Sequence, residues 1–394
     1  MLSVIDPTRN RNQFVNNCLS SPKNKALCES RRGAYDWRER FTTECFIPDL
    51  ASVQEYNQVY GTNYQNWFQI YLNCLPRRKI SAGINHITGV LENGLLYIWQ
   101  RDDNGFKGHT IYSGNMDINF SAVGKSGNLA HGIYNNNILS IIRLHPEVIV
   151  DTQLNNVYDI VCRDKVTIIL DMSGTVYYSD IRNGICGFLR ETPLTLERHT
   201  KLRDGKYIRI ATGNEFIVAL TNDGIGIIKK FIDNVWGNDK FIQIMMNLNQ
   251  RIIDISAEEE NVACLLRNGD ILYFNAITER LIGILPGDRF HNQVFQSLSS
   301  GTNFSIAVLS DGSAQYFYPR ETSGGRGTQE IEYTIIENQG FIQADGSKDF
   351  FVGLTNIGKV GIWPVRANWQ PFYLEPQIRD VNLPLGVNFV RSLN

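Results

Sequence analysis

Residues that could perform chemistry are scattered along this chain of 394 residues rather than grouped. The six histidines include no pair at a spacing typical of metal ligands. No order of serine or cysteine, histidine and carboxylate stands out as a nucleophilic triad, and the acidic residues fall in predicted turns and loops, where solvation explains them. We therefore predict a protein that is not an enzyme and has no catalytic residue, no cofactor and no metal site.

The seven cysteines are odd in number and irregular in spacing, and four of them lie in the first 79 residues: Cys18, Cys28, Cys45 and Cys74. Structural zinc sites use pairs of ligands two to four residues apart, and these four cysteines form no such pair. We therefore expect the reduced thiols of a protein in a reducing compartment.

One glycine-rich segment, Ser323–Thr328, has the composition of a phosphate-binding loop. Such a loop needs a strand before it, a helix after it and usually a Lys-Ser/Thr pair, whereas this segment lies between two predicted strands. We interpret it as an inter-strand loop, like the long mixed-charge stretch from Asn183 to Lys206. Rigid scaffolds commonly place partner contacts on such loops. Four arginines are therefore candidate binding residues: Arg190, Arg198, Arg203 and Arg326.

The elements that must position these residues follow a repeat. Each copy has an apolar strand, a short polar step, a second apolar strand, a turn at glycine or asparagine, and a third apolar strand. In the three clearest copies the first glycine and the turn glycine are eleven positions apart, as Gly83 and Gly94 are. Glycine and asparagine tolerate the positive φ of tight hairpin turns. The predicted turns lie at Gly94, Asn137, Gly174, Gly224, Gly269, Gly312 and Gly358.

Successive turns are 43, 37, 50, 45, 43 and 46 residues apart, which is typical of a four-stranded propeller blade. Short runs rich in Val, Ile, Phe and Tyr favour strands, and helical spacing of apolar residues is absent from residue 80 onward. We therefore predict an all-β, seven-bladed β-propeller over residues 80–394. Val390–Leu393 is similar to Gln296–Leu298, so we expect the last residues to pair with a blade near the start of the ring and close it.

The blade hairpins resemble those of the regulator-of-chromosome-condensation family. Blades of that family carry a phrase like Ala-Gly-x-x-His, an apolar stretch ending in Asp-Gly or Asn-Gly, and an aromatic stretch ending in Trp-Gly. Here Ala82–His86, Asn93–Gly94 and Tyr97–Trp99 match best, whereas Phe216 and Phe304 take the His place in other copies. The family's Gly-Gln-Leu-Gly phrase after the Trp is missing. The resemblance implies a propeller of this type and adds nucleotide exchange on a small GTPase to the candidate functions.

Residues 1–79 lack the repeat, and we predict that they form a small α-helical module. Trp37 and Phe41 are four residues apart, as are Trp67 and Tyr71, so each pair would share one face of a helix. Ser52–Gly61 is typical of a helix closed by a glycine. The segment faintly resembles the tail of F-box proteins, with a degenerate opening where the adaptor-binding half would lie. That resemblance implies a substrate-recruiting subunit of a ubiquitin ligase.

The composition is that of an ordinary globular protein, with 43% hydrophobic residues, 20% charged residues and a net charge of −2. Basic and acidic residues are interleaved, so no nucleic-acid partner is indicated. No apolar run is long enough for a membrane helix, and the polar N-terminus argues against a secretory signal. We therefore predict a cytoplasmic protein. The abundant asparagine hints at a viral source, for which the location would be the host cytoplasm or the virion.

A repeat of this kind predicts a non-enzymatic scaffold that presents propeller-face loops to a protein partner. Three alternatives stay open: a substrate-recruiting F-box-like subunit of a ubiquitin ligase, a guanine-nucleotide exchange factor for a small GTPase, and a structural virion component. The sequence identifies neither the partner nor the face that binds it.

Overall fold

The structure of the chain is a computed structural model. Nearly all the residues that it describes between positions 80 and 373 belong to β-strands or to the short turns between them. The described residues are 52–55, 67, 80–83, 86–90, 96–102, 105–111, 118–123, 129–134, 139–144, 147–151, 154, 157–163, 166–171, 174–180, 200–287, 295–302, 304–309, 312–321, 329–336, 339–348, 350–355, 359–365 and 372–373.

The described strands form seven antiparallel sheets, which we number in chain order. Each sheet is built from consecutive strands, so the chain completes one sheet before it begins the next. Sheets 1 to 3 contain β1 (Ile80–Ala82), β2 (His86–Val90), β3 (Leu96–Asp102) and β4 (Gly105–Ile111); β5 (Ile118–Val123), β6 (Leu129–Tyr134), β7 (Leu139–Leu144) and β8 (Glu147–Asp151); β9 (Val157–Arg163), β10 (Val166–Asp171), β11 (Val176–Asp180) and β12 (Thr200–Lys201).

Sheet 4 has a fifth strand, β17, which pairs with β15 beside β16, and the short helix α1 (Ile242–Met245) follows it. Sheets 4 to 7 contain β13 (Tyr207–Thr212), β14 (Phe216–Thr221), β15 (Gly226–Ile232), β16 (Val235–Trp236) and β17 (Lys240–Phe241); β18 (Ile252–Glu258), β19 (Asn261–Leu266), β20 (Ile271–Asn275) and β21 (Arg280–Leu285); β22 (Phe295–Gly301), β23 (Phe304–Leu309), β24 (Ala314–Glu321) and β25 (Gln329–Ile336); β26 (Phe341–Gly346), β27 (Phe350–Thr355), β28 (Val360–Pro364) and β29 (Phe372–Tyr373).

The first strands of the sheets lie side by side in a ring. Each contacts the first strand of the next sheet, in the order β1, β5, β9, β13, β18, β22 and β26. Strand β26 also contacts β1, which brings the last sheet back to the first. Four-stranded meanders arranged in this way form a β-propeller. The predicted all-β propeller is therefore confirmed.

The blade count differs from the sequence prediction. Six sheets, sheet 1 and sheets 3 to 7, are established as blades with described side chains, one fewer than the seven predicted. Sheet 2 is described by its strands and their register alone. Its standing as a seventh blade is therefore part of the proposal below.

The second strand of each blade lies in the core. Every residue of β10, β14, β19, β23 and β27 is buried. This follows from the architecture, because each sheet packs one face on the preceding blade and the other on the following blade. One such cluster joins Phe216, Val218 and Leu220 of sheet 4 to Val262 and Cys264 of sheet 5. Mutual packing between sheets therefore replaces a single central core.

Four of the glycines predicted at turns lie among the described residues. Gly174, Gly224, Gly269 and Gly312 have φ between 80° and 86°, a range that side-chain-bearing residues rarely adopt. Three of them also tie one sheet to the next. The carbonyls of Gly174, Gly224 and Gly312 accept hydrogen bonds, at 2.8, 3.0 and 2.8 Å, from the N–H that opens the following sheet. Gly94, Asn137 and Gly358 lie outside the described residues.

A β-bulge recurs near the start of the first strand in sheets 2 to 7. One extra residue interrupts the pairing with the second strand, as Ile208 does between Tyr207 and Arg209. A bulge increases the local twist of a strand. The bulges therefore increase the local twist at the start of the first strand in sheets 2 to 7. The pairs of residues that flank the six bulges are Ile118/Phe120, Val157/Asp159, Tyr207/Arg209, Ile252/Asp254, Phe295/Ser297 and Phe341/Gln343.

The N-terminal and C-terminal predictions mostly fall outside the described residues. Residues 53–55 and Trp67 are helical, and Ser52 Oγ accepts a hydrogen bond at 3.0 Å from the Glu55 N–H, as in a helix N-cap. The described residues do not establish the predicted helical module. Trp37, Phe41, Tyr71 and the closing segment 390–393 all lie outside them.

One cysteine departs from the expectation of reduced thiols. Cys162, at the end of β9, is buried and disulfide-bonded, whereas Cys264 is a free, buried thiol. Disulfides are rare in the cytosol. The expectation is therefore wrong at Cys162, where the irregular spacing of the cysteines gave no sign of a pair.

Gly213 is expected to resist substitution because the ring of Phe216 and the next blade lie against it. A Cβ at this position would lie 2.1 Å from Phe216 Cε1 and 2.2 Å from the Glu259 carbonyl oxygen. Gly213→Ala should therefore lower the free energy of unfolding by about 2–3 kcal/mol, as measured by denaturant titration. In the control Gly237→Ala, the nearest atom to the new Cβ is 3.6 Å away, so stability should change by less than about 1 kcal/mol. Equal effects of the two substitutions would contradict this packing.

Candidate functional site

The connections between strands divide the ring into two faces. In an antiparallel meander the first-to-second and third-to-fourth connections leave one face, which we call the hairpin face. The second-to-third connections and the links to the next sheet leave the opposite side, the turn face. Residues 202–206, the end of the mixed-charge stretch, link β12 to β13 on the turn face. The part of that stretch before β12 (residues 183–199) and the Ser323–Thr328 segment both connect third strands to fourth strands. They therefore both leave from the hairpin face.

The four candidate arginines lie in three different connections between strands. Arg190 and Arg198 lie in the connection from β11 to β12, and Arg326 lies in the connection from β24 to β25, all outside the described residues. Arg203 lies between β12 and β13, on the turn face. It is exposed, and its guanidinium carbon is 4.8 Å from the centre of the Phe241 ring. The structure therefore separates Arg203 from the two hairpin-face connections.

A buried ionic network that the sequence did not indicate lies under the hairpin face. Arg163, the last residue of β9, donates from Nε to Asn214 Oδ1 at 2.8 Å, and its Nη1 forms an ion pair with the carboxylate of Glu258. The side chains of Arg163 and Glu258 are only 7% and 4% exposed. The three residues come from three consecutive sheets, so one guanidinium holds three hairpins together. The nearby Asn214 N–H adds a bond of 2.9 Å to the Glu259 carbonyl.

A second polar network joins the last sheet to the first. The carboxylate of Asp345, in β26, accepts hydrogen bonds at 2.8 Å from Ser81 Oγ and from the Ala82 N–H in sheet 1. It also accepts one from Ser299 Oγ in sheet 6. Ser347 Oγ donates at 2.6 Å to the Gly83 carbonyl. One carboxylate therefore connects three sheets where the ring closes.

A third charged group joins sheets 4 and 5 at the hairpin face. Glu279, in the turn between β20 and β21, accepts hydrogen bonds from both Lys230 Nζ and Lys240 Nζ. These bonds, that from Lys230 foremost, hold the pKa of the Glu279 carboxyl below its usual value. Lys230 Nζ also donates to the Ile277 carbonyl at 2.8 Å. Like the two networks above, this cluster fixes the position of hairpins.

Two buried side chains away from these networks have raised pKa values. Burial raises the pKa of the Cys264 thiol, which disfavours the reactive thiolate. Burial likewise raises the pKa of Tyr207, whose hydroxyl donates to the Arg203 carbonyl at 3.0 Å. Among the described residues, no group of three or more His, Cys, Asp or Glu side chains is placed to hold a metal ion. No helix in the described part of the chain is long and apolar enough to cross a membrane.

Comparison with known proteins gives a fold and no family. No protein-family model matches the chain, and no curated protein matches its sequence. Many solved structures match its shape. Human WBSCR16 matches with a TM-score of 0.53 at 11% identity, covering 74% of this chain and 88% of that one. A chain of the mitotic checkpoint complex matches with a TM-score of 0.50 at 12% identity, covering 74% and 87%.

The comparisons do not establish the predicted family resemblance. Prp20p of Saccharomyces cerevisiae, the yeast RCC1 protein, matches over 72% of this chain and 71% of its own, at 12% identity. Its TM-score of 0.39 is too low to carry an argument about this chain. All these identities are low enough that the matches show the fold alone. None of these matches supports the F-box resemblance.

Removing one charge of the Arg163–Glu258 pair should lower the free energy of unfolding more than removing both charges. Arg163→Met would leave Glu258 buried without its cation, and we expect the free energy of unfolding to fall by about 3 kcal/mol. The double variant Arg163→Met with Glu258→Met removes both charges and should recover at least half of that loss. The measurement is a double-mutant cycle by urea denaturation. A double variant that loses the sum of the two single effects would show that the residues do not act as a pair.

Proposed function

We propose that this protein is a non-enzymatic scaffold that binds a protein partner on the hairpin face of the ring. The observation that carries the proposal is that the two long insertions, after β11 and after β24, leave from the same face. Loops anchored on a rigid scaffold commonly carry binding residues. Arg190, Arg198 and Arg326 belong to these insertions, and arginine is enriched at the residues that dominate binding energy.

The proposal includes sheet 2 as a seventh blade. Its first strand, β5, contacts β1 on one side and β9 on the other, as a blade between sheets 1 and 3 would. With sheet 2 in place, the inner strands make a continuous circuit. The loops on the hairpin face would then keep fixed relative positions around a closed ring.

The polar networks hold the hairpins of this face in fixed positions, which favours this face for binding. The Arg163 network fixes the hairpins of sheets 3 to 5, and Asp345 fixes those of sheets 6, 7 and 1. A preformed surface loses less conformational entropy when a partner docks. One chain of similar fold belongs to the mitotic checkpoint complex, so this fold is compatible with a role in a multiprotein assembly.

The finer alternatives have no structural observation of their own. Adaptor binding by residues 1–79, nucleotide exchange, a role in a virion and a cytoplasmic location therefore remain predictions from the sequence. The disulfide at Cys162 counts against a cytosolic location.

The test compares charge reversals on the two faces of the full chain. The triple variant Arg190→Glu, Arg198→Glu, Arg326→Glu alters the hairpin-face insertions, and Arg203→Glu is the matched control on the turn face. Partners would be recovered by affinity purification from native cells and quantified by mass spectrometry, with melting temperatures to confirm folding. We expect the triple variant to lose the wild-type partner by about tenfold or more and the control to retain it. Loss in the control alone, equal recovery with both variants, or no partner for the wild type would contradict the proposal.

A further inference from the structure

The outer edge of the ring carries an apolar patch where sheets 4 and 5 meet. Both sheets lie within residues 200–287, which the structure describes without a gap. Four large apolar side chains there are exposed to solvent: Ile232 by 44%, Val235 by 66%, Leu281 by 52% and Ile284 by 46%. We call these four residues the rim patch. Single exposed apolar residues are normal on a monomer, whereas grouped ones mark interaction sites.

Ile232 and Val235 lie on the face of sheet 4 that is directed toward sheet 5. Side chains alternate between the two faces of a strand, and Lys230 of β15 donates at 2.8 Å to a backbone carbonyl in the β20–β21 turn of sheet 5. Ile232 lies two residues beyond Lys230 and shares its face, as does Val235, which pairs with Ile232. The two residues between them, 233–234, have φ of 53° and 62° and form a tight hairpin turn. The turn therefore fixes the apolar pair at the tip of the hairpin.

Leu281 and Ile284 lie on the opposing face of sheet 5. Within that sheet, Leu281 pairs with Phe274 and Ile284 pairs with Leu272. Phe274 and Leu272 are buried in the cluster that joins sheets 4 and 5, so their partners in β21 face sheet 4 as well. These partners stay exposed because the outer edge of sheet 4 is short, with only two residues each in β16 and β17. The rim patch is therefore made of two walls that face each other.

A cluster of three charged side chains lies between these walls. Lys230 and Lys240 both donate to the same carboxylate oxygen of Glu279, in the hairpin turn of sheet 5. Asp233 lies outside the cluster, in the exposed turn at the tip of the sheet 4 hairpin. The neighbouring Lys229 points to the other side of sheet 4, toward sheet 3. The space between the walls therefore holds two cations for one carboxylate.

This excess of positive charge indicates which surface can cover the patch. An ammonium group has three donors, and the side chain of Lys240 is 50% exposed. A purely apolar surface would remove water from Lys240, which shares its one carboxylate with Lys230, and that is unfavourable. A basic surface would be repelled. A surface that brings its own carboxylate instead pairs with Lys240 as water is excluded.

We propose that the rim patch binds a segment of a partner protein that carries apolar side chains next to an aspartate or glutamate. The apolar side chains cover the two walls of the patch, and the carboxylate pairs with Lys240 Nζ. A second copy of this chain is a less favourable occupant, because two patches facing each other across a two-fold axis bring like net charges together. The site uses none of the candidate arginines, so it does not depend on the function proposed above.

Peptide selection on the full chain tests the chemistry of the partner. A phage-displayed library of random 12-residue peptides would be selected on the wild type, and the enriched peptides would be measured by fluorescence anisotropy. We expect them to combine apolar residues with Asp or Glu and to bind with dissociation constants below about 100 μM. Replacing their acidic residues by lysine should weaken binding about tenfold or more. Enrichment of peptides without carboxylates, or of no peptides, overturns the proposal.

Variants of the chain test the location of the site. Ile232→Ser with Val235→Ser removes one wall and should raise the dissociation constant of the enriched peptides about tenfold or more. Lys240→Gln leaves the walls intact and should reduce the preference for acidic over lysine-substituted peptides. The matched control is Tyr333→Ser with Ile335→Ser, which alters two other exposed apolar side chains, on β25 of sheet 6, and should change neither quantity.

Melting temperatures would confirm that each variant folds, and Lys240→Gln keeps the test decisive if the double variant does not. Binding that is unchanged in both rim-patch variants, or that is lost in the control, overturns the proposal. Sedimentation velocity distinguishes the other occupant. A wild-type dimer that Ile232→Ser with Val235→Ser dissociates would show that a second copy covers the patch, which also overturns it.

Discussion

The structure depends on the contact that returns the last sheet to the first. Each blade buries both of its faces, so a blade without a neighbour would expose an apolar face to water. At the junction, the carboxylate of Asp345 joins three sheets. It accepts hydrogen bonds from Ser81 and Ala82 of sheet 1 and from Ser299 of sheet 6. Apolar packing between Ile80, Ile87 and Trp99 of sheet 1 and Val352 and Leu354 of sheet 7 completes the junction.

Closure explains the features that recur around the ring. Second strands such as β14 and β19 are buried along their whole length because neighbours cover them on both sides. Glycine carbonyls at the turns accept from the next blade, so the same residue reverses the chain and joins two sheets. The buried charges of Arg163 and Glu258 are paired, and the carboxylate of Asp345 accepts hydrogen bonds, because a buried charge without partners would oppose closure. The surfaces available for partners are then the loops on the two faces and the outer edges.

Features with a local cause could be predicted from the sequence. A turn with positive φ requires glycine or asparagine within a few residues, so the sequence alone identifies Gly174, Gly224, Gly269 and Gly312. The repeat also places Phe216 and Phe304 at the His position, and the structure shows both buried like His86. These signals suffice for an all-β propeller.

Features that join distant residues could not be predicted. Arg163 and Asn214 are 51 residues apart in sequence, and nothing in the type of either residue indicates the other. The same holds for Asp345 and Ser81, and for the bulges, which depend on pairing between strands. The prediction of the candidate arginines depends on loop composition, which does not indicate the face of the ring from which a loop leaves. Strand order is needed to assign Arg203 to the link between sheets 3 and 4.

Native-state hydrogen exchange measures closure most directly. If the ring is closed, it opens as one cooperative unit. The slowest amides of β1 (Ile80–Ala82) and β26 (Phe341–Gly346) should then exchange with the same opening free energy as those of β18 (Ile252–Glu258), which lies far from the junction. If β1 and β26 open at a much lower free energy than β18, the junction does not hold the ring together, and the fold does not depend on closure.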